Sequence, residues 1–224
     1  MRVLEDSRSN KGKDITYVNL KESMEKKDCP ICYLLLKSRN RWIDSLLYEH
    51  VTDSALRDKI RETGFCSRHI WAILNYSEKH LSVDGLGVSI IMQDVLENKL
   101  SAMSKTGTEN VDWGKECILC RLIDESEEGY TVSLAEWFVA GEFLGLYRTS
   151  QSILCLNHFR SLIRQLRDKD KEPVMRIHLT KLEKLNKELK SFIRKFDWTV
   201  KEKRTQEEAE AKQMAIRVLK GSEY

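Results

Sequence analysis

All six cysteines of this chain, and two of its five histidines, fall in four short stretches: Cys29-Pro30-Ile31-Cys32, Cys66-Ser67-Arg68-His69, Cys117-Ile118-Leu119-Cys120 and Cys155-Leu156-Asn157-His158. Thiolate sulfur and neutral imidazole nitrogen are the ligands that zinc takes tetrahedrally, and Cys-x-x-Cys and Cys-x-x-His are spaced as metal-ligand pairs are. Taken in chain order, the stretches make two copies of a Cys3His clamp: Cys29, Cys32, Cys66 and His69, then Cys117, Cys120, Cys155 and His158. The gap between the pairs is 33 residues in the first copy and 34 in the second, and matching ligands lie 88 or 89 positions apart, the mark of an internal duplication. The cofactor this pattern predicts is zinc, two ions per chain. An iron–sulfur cluster is the alternative, since three Cys and one His also ligate one. A thiol–disulfide role for Cys-x-x-Cys leaves the histidines without a purpose and lacks the βαβ context that such chemistry uses. Four protein ligands leave no position for water, so these sites are expected to hold structure and not to catalyse.

The pairs need elements that position them. Proline is best tolerated at the first helical position, so Cys29-Pro30 reads as an N-cap and helix start, with Cys32 in the first turn. The positive end of the helix dipole there favours the thiolate. Leu34, Leu35, Ile43, Leu46, Leu47 and Val51 continue an apolar face to about His50. Thr52 or Asp53 caps a short helix that Gly64 ends, and Cys66 to His69 opens the next, carrying Ile70, Trp71, Ile73 and Leu74. The expectation is a hairpin in which two helix N-termini meet at one ion. A helix over 84–104 bridges to the second copy, where Ile118 stands in place of the proline. There the long helix is expected to break near Tyr130 and restart at the Ser133-Leu134-Ala135-Glu136 capping box. Upstream, Asn19 with Glu22 reads as the cap of a helix from Leu20 to about Lys26. Downstream, Pro173 punctuates the chain. Leu182, Leu185, Leu189, Phe192, Ile193 and Phe196 mark the core face of one C-terminal helix, and Thr205 to Leu219 forms another, with a small-residue contact at Ala209, Ala211, Met214, Ala215 and Val218.

These readings give an all-α protein of two pseudo-repeated helical hairpins, each pinned by a Cys3His site. The organisation is a mobile tail (1–14), a first metal-clamped unit with the bridging helix (15–104), a linker (105–112), a second clamped unit (113–168) and C-terminal helices packing on both (173–224). Only 2 Pro and 10 Gly among 224 residues, with 33% charged, suit a helix-rich soluble chain. No apolar run approaches the length of a membrane span, and Met1 to Asp14 lacks the apolar core of a signal peptide, so a cytoplasmic, reducing location is expected.

The net charge of +3 hides an asymmetry: 160–224 carries +7 and the preceding residues −4. Lysine and arginine alternate there with glutamate at helical spacing, as on a solvated face, and Phe192, Phe196 and Trp198 lie on or beside the apolar stripe. Sequence-specific nucleic-acid binding is therefore not expected, and a nucleic-acid-binding zinc protein stays a second alternative. His50, His80 and His178 read as ordinary helix residues, and Arg68 and Arg121 as cations able to offset the −1 of a Zn–Cys3His centre. No phosphate loop, nucleophile elbow or hydrolytic Asp/Glu–His motif is recognisable. The leading reading is a binding or adaptor module with a protein partner, not an enzyme.

CPIC with GFCSRH, then CILC with ILCLNH, together with RWIDSLLYEHV and FIRKFDW, resembles the prokaryotic domain of unknown function 6062 family from about Ile15 to Leu219. The resemblance implies a helical, metal-binding protein with ligands at the eight positions above, and it supplies no activity.

Overall fold

The computed structural model describes residues 14–80, 85–106 and 117–222. The expected tail up to Lys13 and the linker from Gly107 onward lie outside them. Ten α-helices and no strand occur among the described residues: α1 Ile15–Met24, α2 Pro30–Tyr48, α3 Ser54–Thr63, α4 Ser67–His80, α5 Leu86–Thr106, α6 Ile118–Val139, α7 Glu142–Thr149, α8 Leu156–Gln165, α9 Asp168–Arg194 and α10 Gln206–Lys220. The all-α class with two repeats holds.

Four helix starts follow the ligand pairs. Cys29, Cys66, Cys117 and Cys155 each stand immediately before a helix, and each carbonyl accepts the N–H four residues on, from Tyr33, Ile70, Arg121 and Phe159 respectively. The first cysteine of every motif is thus the N-cap, with or without a following proline.

Other boundaries differ from expectation for local reasons. α1 starts at Asp14, whose Oδ1 accepts the Tyr17 N–H at 2.9 Å, so Asn19 lies inside the helix and is buried there. α6 runs unbroken through Gly129 and Tyr130. One glycine costs a helix only about 1 kcal/mol against alanine, and the flanking buried residues Ile123, Leu134, Ala135 and Phe138 outweigh that. Pro173 falls inside α9 and does not end it.

The chain forms two compact units, Met1–Leu34 with Gly129–Glu223 (unit 1) and Leu35–Glu128 (unit 2). Their limits fall within α2 and α6 and do not follow the order of the two copies. In unit 1, Tyr17 of α1 sets its ring edge against Trp137 at 4.8 Å and Phe143 at 5.3 Å, and its hydroxyl donates to Glu142. Packing of α9 on α10 buries Ile153, Leu185, Ala211 and Val218, with Leu182, Leu189, Met214 and Ala215 around them, as the small-residue stripe predicted. The far end of the α9 stripe departs from expectation. Ile193, Phe196 and Trp198 are exposed, because α10 begins only at Gln206 and leaves them uncovered.

In unit 2, α5 packs on α3 and α4. A Cβ on Gly87 would sit 3.1 Å from the Leu47 carbonyl oxygen, so only glycine lets α5 approach α2 this closely. Asp94 of α5 is buried and takes a two-pronged ion pair from Arg57 of α3, at 2.5 and 2.7 Å.

Candidate metal centres

The eight ligand positions assemble into two clusters, and their pairing is crossed. Cys29 and Cys32 meet Cys155 and His158 in unit 1, while Cys66 and His69 meet Cys117 and Cys120 in unit 2. Pairing within each copy, Cys29-Cys32 with Cys66-His69 and Cys117-Cys120 with Cys155-His158, is corrected accordingly. Helix lengths explain it. At about 1.5 Å per residue, the 19-residue α2 carries the chain about 28 Å away from Cys29, and the 10-residue α3 returns it only about 15 Å. Phe65 therefore stops against Trp42, at a centroid distance of 6.3 Å, well along α2 from Pro30. In the second copy the 22-residue α6 is followed by an 8-residue α7, and the shortfall repeats. Each copy gives one pair to each centre.

The unit 1 cluster places His158 Nδ1 3.3 Å from Cys29 Sγ, 3.3 Å from Cys32 Sγ and 3.2 Å from Cys155 Sγ, with Cys32 and Cys155 sulfurs 3.8 Å apart. In unit 2, His69 Nδ1 is 3.3 Å from each of Cys66, Cys117 and Cys120, and the Cys66 and Cys120 sulfurs are 3.7 Å apart. Zn–S and Zn–N bonds of about 2.3 and 2.0 Å in a tetrahedron put sulfurs about 3.8 Å apart and sulfur and nitrogen about 3.5 Å apart. The observed separations agree within a few tenths of an ångström, and all six thiols are free. The donor sets fit a metal ion.

Electrostatics prepare the ligands. Burial, with the charges of Arg68 and Arg39, pushes His69 down to about 4, so the imidazole is neutral with its lone pair available. Hydrogen bonds from the Cys29 and Cys32 thiols hold Cys155 far below the usual thiol range, while burial pushes Cys29 well above it. In unit 2, burial, with the neighbouring Cys117 and Cys66, raises Cys120 to about 12. Burial raises Cys66 too, but the His69 N–H, the Cys120 and Cys117 thiols and the Arg68 charge outweigh it, and the Cys66 thiol is lowered. A cysteine ligates a metal ion as the thiolate, so binding at either cluster releases protons and strengthens as pH rises. The Arg68 charge acts on both Cys66 and His69. Arg121 instead lies 4.0 Å from Glu125.

Some surroundings were not anticipated. Asp28 Oδ1 accepts the Cys29 N–H at 2.7 Å and the Ser222 hydroxyl, and the Ser222 N–H donates to Cys32 Sγ at 3.4 Å. Tyr147 Oη accepts the N–H of Leu154, beside Cys155, at 3.2 Å, and shares a hydrogen bond with His178 Nδ1 at 2.8 Å. His178 is therefore a buried, partnered residue, stacked at 3.8 Å on Phe159. Gly221 after α10 is visible in sequence as a helix end; nothing there signals that it reaches the centre.

The sequence profile of a family of unknown function, DUF6062, matches the chain over residues 12–116 and 111–224, one match for each repeat. The chain belongs to this family. A relative in Caldicellulosiruptor sp. (strain Rt8B.4), an uncharacterized 23.9 kDa protein in the xynA 3′ region, is 23% identical over 212 residues, covering 90% of this chain and 99% of its own. No solved structure matches. The DUF6062 assignment agrees with the resemblance read from the doubled motif, and among the described residues no helix is long and apolar enough to cross a membrane.

Proposed function

We propose that this DUF6062 protein is a zinc-stabilised helical binding protein, its two Cys3His centres structural and its partner another protein. The observation that carries the metal reading is the spacing of the donors. Sulfurs 3.7–3.8 Å apart leave room for one ion at their centre, whereas a polynuclear cluster interposes several iron and sulfide atoms between its ligands and spreads them wider. Zinc suits three thiolates and a neutral imidazole, and a filled four-ligand set gives water no position. Six free thiols fit a reducing compartment.

The binding surface is the exposed end of α9. Ile193, Phe196 and Trp198 are 68, 63 and 93% exposed, and Lys190, Lys201 and Lys203, their near neighbours in sequence, are exposed as well. Much of the positive charge nearby is engaged within the molecule: Arg194 with Glu202 at 2.7 Å, Lys195 with Glu208 at 2.8 Å, and Arg204 over the Phe196 ring at 4.6 Å. Exposed apolar side chains in a segment that also carries exposed lysines fit a protein contact bearing carboxylates better than a phosphate backbone, which needs a continuous basic track.

Metal analysis of protein purified without added metal is expected to give two zinc per chain, and stoichiometric iron with visible absorption refutes the zinc reading. For the partner, capture from the native host is compared between the chain and Trp198→Ala. Loss of one protein on substitution, with a Kd weakened about 30-fold or more as for a buried aromatic anchor, supports the surface. Nanomolar binding of one DNA or RNA sequence at 0.2 M salt replaces it with a nucleic-acid role.

A further inference from the structure

We infer that the two centres, both structural, differ in lability: the unit 1 centre is a permanent staple, and the unit 2 centre is a staple whose ion an incoming thiol or nitrogen chelator withdraws. This rests on the zinc reading and adds a division between the sites.

The asymmetry starts from burial. All four unit 1 donors are inaccessible: Cys29, Cys155 and His158 are 1% exposed and Cys32 is not exposed at all. In unit 2, His69 and Cys117 are buried, but Cys66 and Cys120 are both part-exposed, and these two sulfurs form one edge of the tetrahedron. A distant part of the chain closes the unit 1 centre. Gly221, at φ +83°, ends α10 so tightly over the ligands that a Cβ there would lie 3.5 Å from Cys32 Sγ and 3.8 Å from Cys155 Sγ. The Ser222 N–H bonds the Cys32 sulfur, Ser222 Oγ donates to Asp28, and Arg217 donates to the Lys27 carbonyl at 3.1 Å, so the closing segment is held at three points. Among the described residues, nothing outside the two motifs makes a hydrogen bond to Cys66 or Cys120 sulfur.

Exchange at the open edge needs no oxidant. With an ion held there, an incoming thiol would approach past the Cys66–Cys120 edge, its sulfur would take the place of the Cys120 or Cys66 sulfur, and its proton would pass to the sulfur it displaces. One metal–sulfur bond is formed and one broken, with no change in oxidation state. The same approach in unit 1 first requires α10's end to lift.

The test uses the full zinc-loaded chain and an excess of a chromogenic chelator. Two zinc per chain are established first; fewer sinks the zinc reading itself and is told apart from failure of this inference. Release is expected in two phases of equal amplitude, separated at least tenfold in rate. Cys66→Ser removes the fast phase and keeps the slow one, and Ser222→Pro, which deletes the N–H donor, speeds the slow phase several-fold while the helical circular dichroism is unchanged. Mass spectrometry after brief N-ethylmaleimide treatment of the unsubstituted chain gives a readout independent of any variant, with Cys66 and Cys120 modified ahead of Cys29, Cys32 and Cys155. A single release phase, a fast phase that survives Cys66→Ser, or equal alkylation of all six thiols overturns the inference.

Discussion

Crossed pairing can be tested by removing ligands two pairs at a time and counting zinc. Replacing Cys29, Cys32 and Cys155 by Ser and His158 by Asn strips the unit 1 centre and leaves the unit 2 set whole, so one zinc per chain is expected. Replacing Cys29, Cys32 and Cys66 by Ser and His69 by Asn takes two ligands from each centre and is expected to leave none. Pairing within each copy predicts the opposite, no zinc for the first variant and one for the second. The cost to stability follows from what each ion closes. Cys32 and Cys155 are 123 positions apart and His69 and Cys117 are 48 apart. Treating each ion as a crosslink, the loss of unfolded-chain entropy contributes about 5 kcal/mol for the longer loop and about 4 for the shorter. Against a typical total of about 5–15 kcal/mol, the first variant loses a large fraction. At about 2–4 °C per kcal/mol for a chain this size, its melting temperature is expected to fall by roughly 10–20 °C, read by circular dichroism. One zinc in the second variant, or none in a first variant that keeps its helical signal, refutes the crossed assignment.

Tyr147→Phe removes the hydroxyl that joins the Leu154 N–H to His178 Nδ1, and stranding those buried groups is expected to cost about 1–3 kcal/mol in denaturant melts, with zinc content still two. Burial, with the Lys181 charge, holds His178 at about 4 against its ordinary value of 6.5, so the unfolded chain takes the proton first; this stability is complete above about pH 6.5 and declines as pH falls toward 4. His178→Phe is expected to flatten the stability curve in that window. Lys195, Ser191 and the Thr205 N–H hold the Glu208 carboxyl at about 2, so its contribution is full above its ordinary 4.5, declines as pH falls below that, and is lost as pH falls through 2. Thr205→Ala, which breaks the capping box of α10, should cost about 1 kcal/mol, and no change in melting would discount the cap. Arg57→Met leaves the buried Asp94 carboxylate only a 3.5 Å contact to Arg61, and a loss of about 3 kcal/mol is expected in denaturant melts; an unchanged midpoint would show that the pair contributes little.

Local chemistry was the most legible part of the sequence. Each Cys-x-x-Cys or Cys-x-x-His opens a helix, because the cap and the first turn are decided by four adjacent residues. Of Thr52 and Asp53, the two candidates for the α3 cap, Asp53 takes it, and α10 starts at Gln206, one residue after the expected start. Failures came where a decision lies far from the residues that announce it. Asp14 outcompeted Asn19 for the same helix because it precedes a longer stretch that can be buried, Tyr17, Leu20 and Met24. A glycine and a capping-box pattern at 129–136 did not break α6, since packing on both sides of Gly129 favours continuity. Exposure of Phe196 and Trp198 could not be read from the α9 stripe, which says which residues share a face but not where the partner helix stops covering it.

The ligand pairing belongs to that second kind and shows why a repeat can mislead. Equal gaps of 33 and 34 residues suggested that each copy closes on itself. A gap counts residues, whereas closure depends on how many point outward and how many return. Nineteen out and ten back leave the Cys66 end of the first copy beside Trp42, short of Cys29, and the second copy inherits the same inequality. Two unequal hairpins cannot each bring their ends together, but each can supply what the other lacks. Exchange of pairs therefore satisfies all eight donors with no change to either copy, and it makes both copies necessary to both centres. Duplication in this chain supplies a ligand set that one copy of these helix lengths cannot close alone.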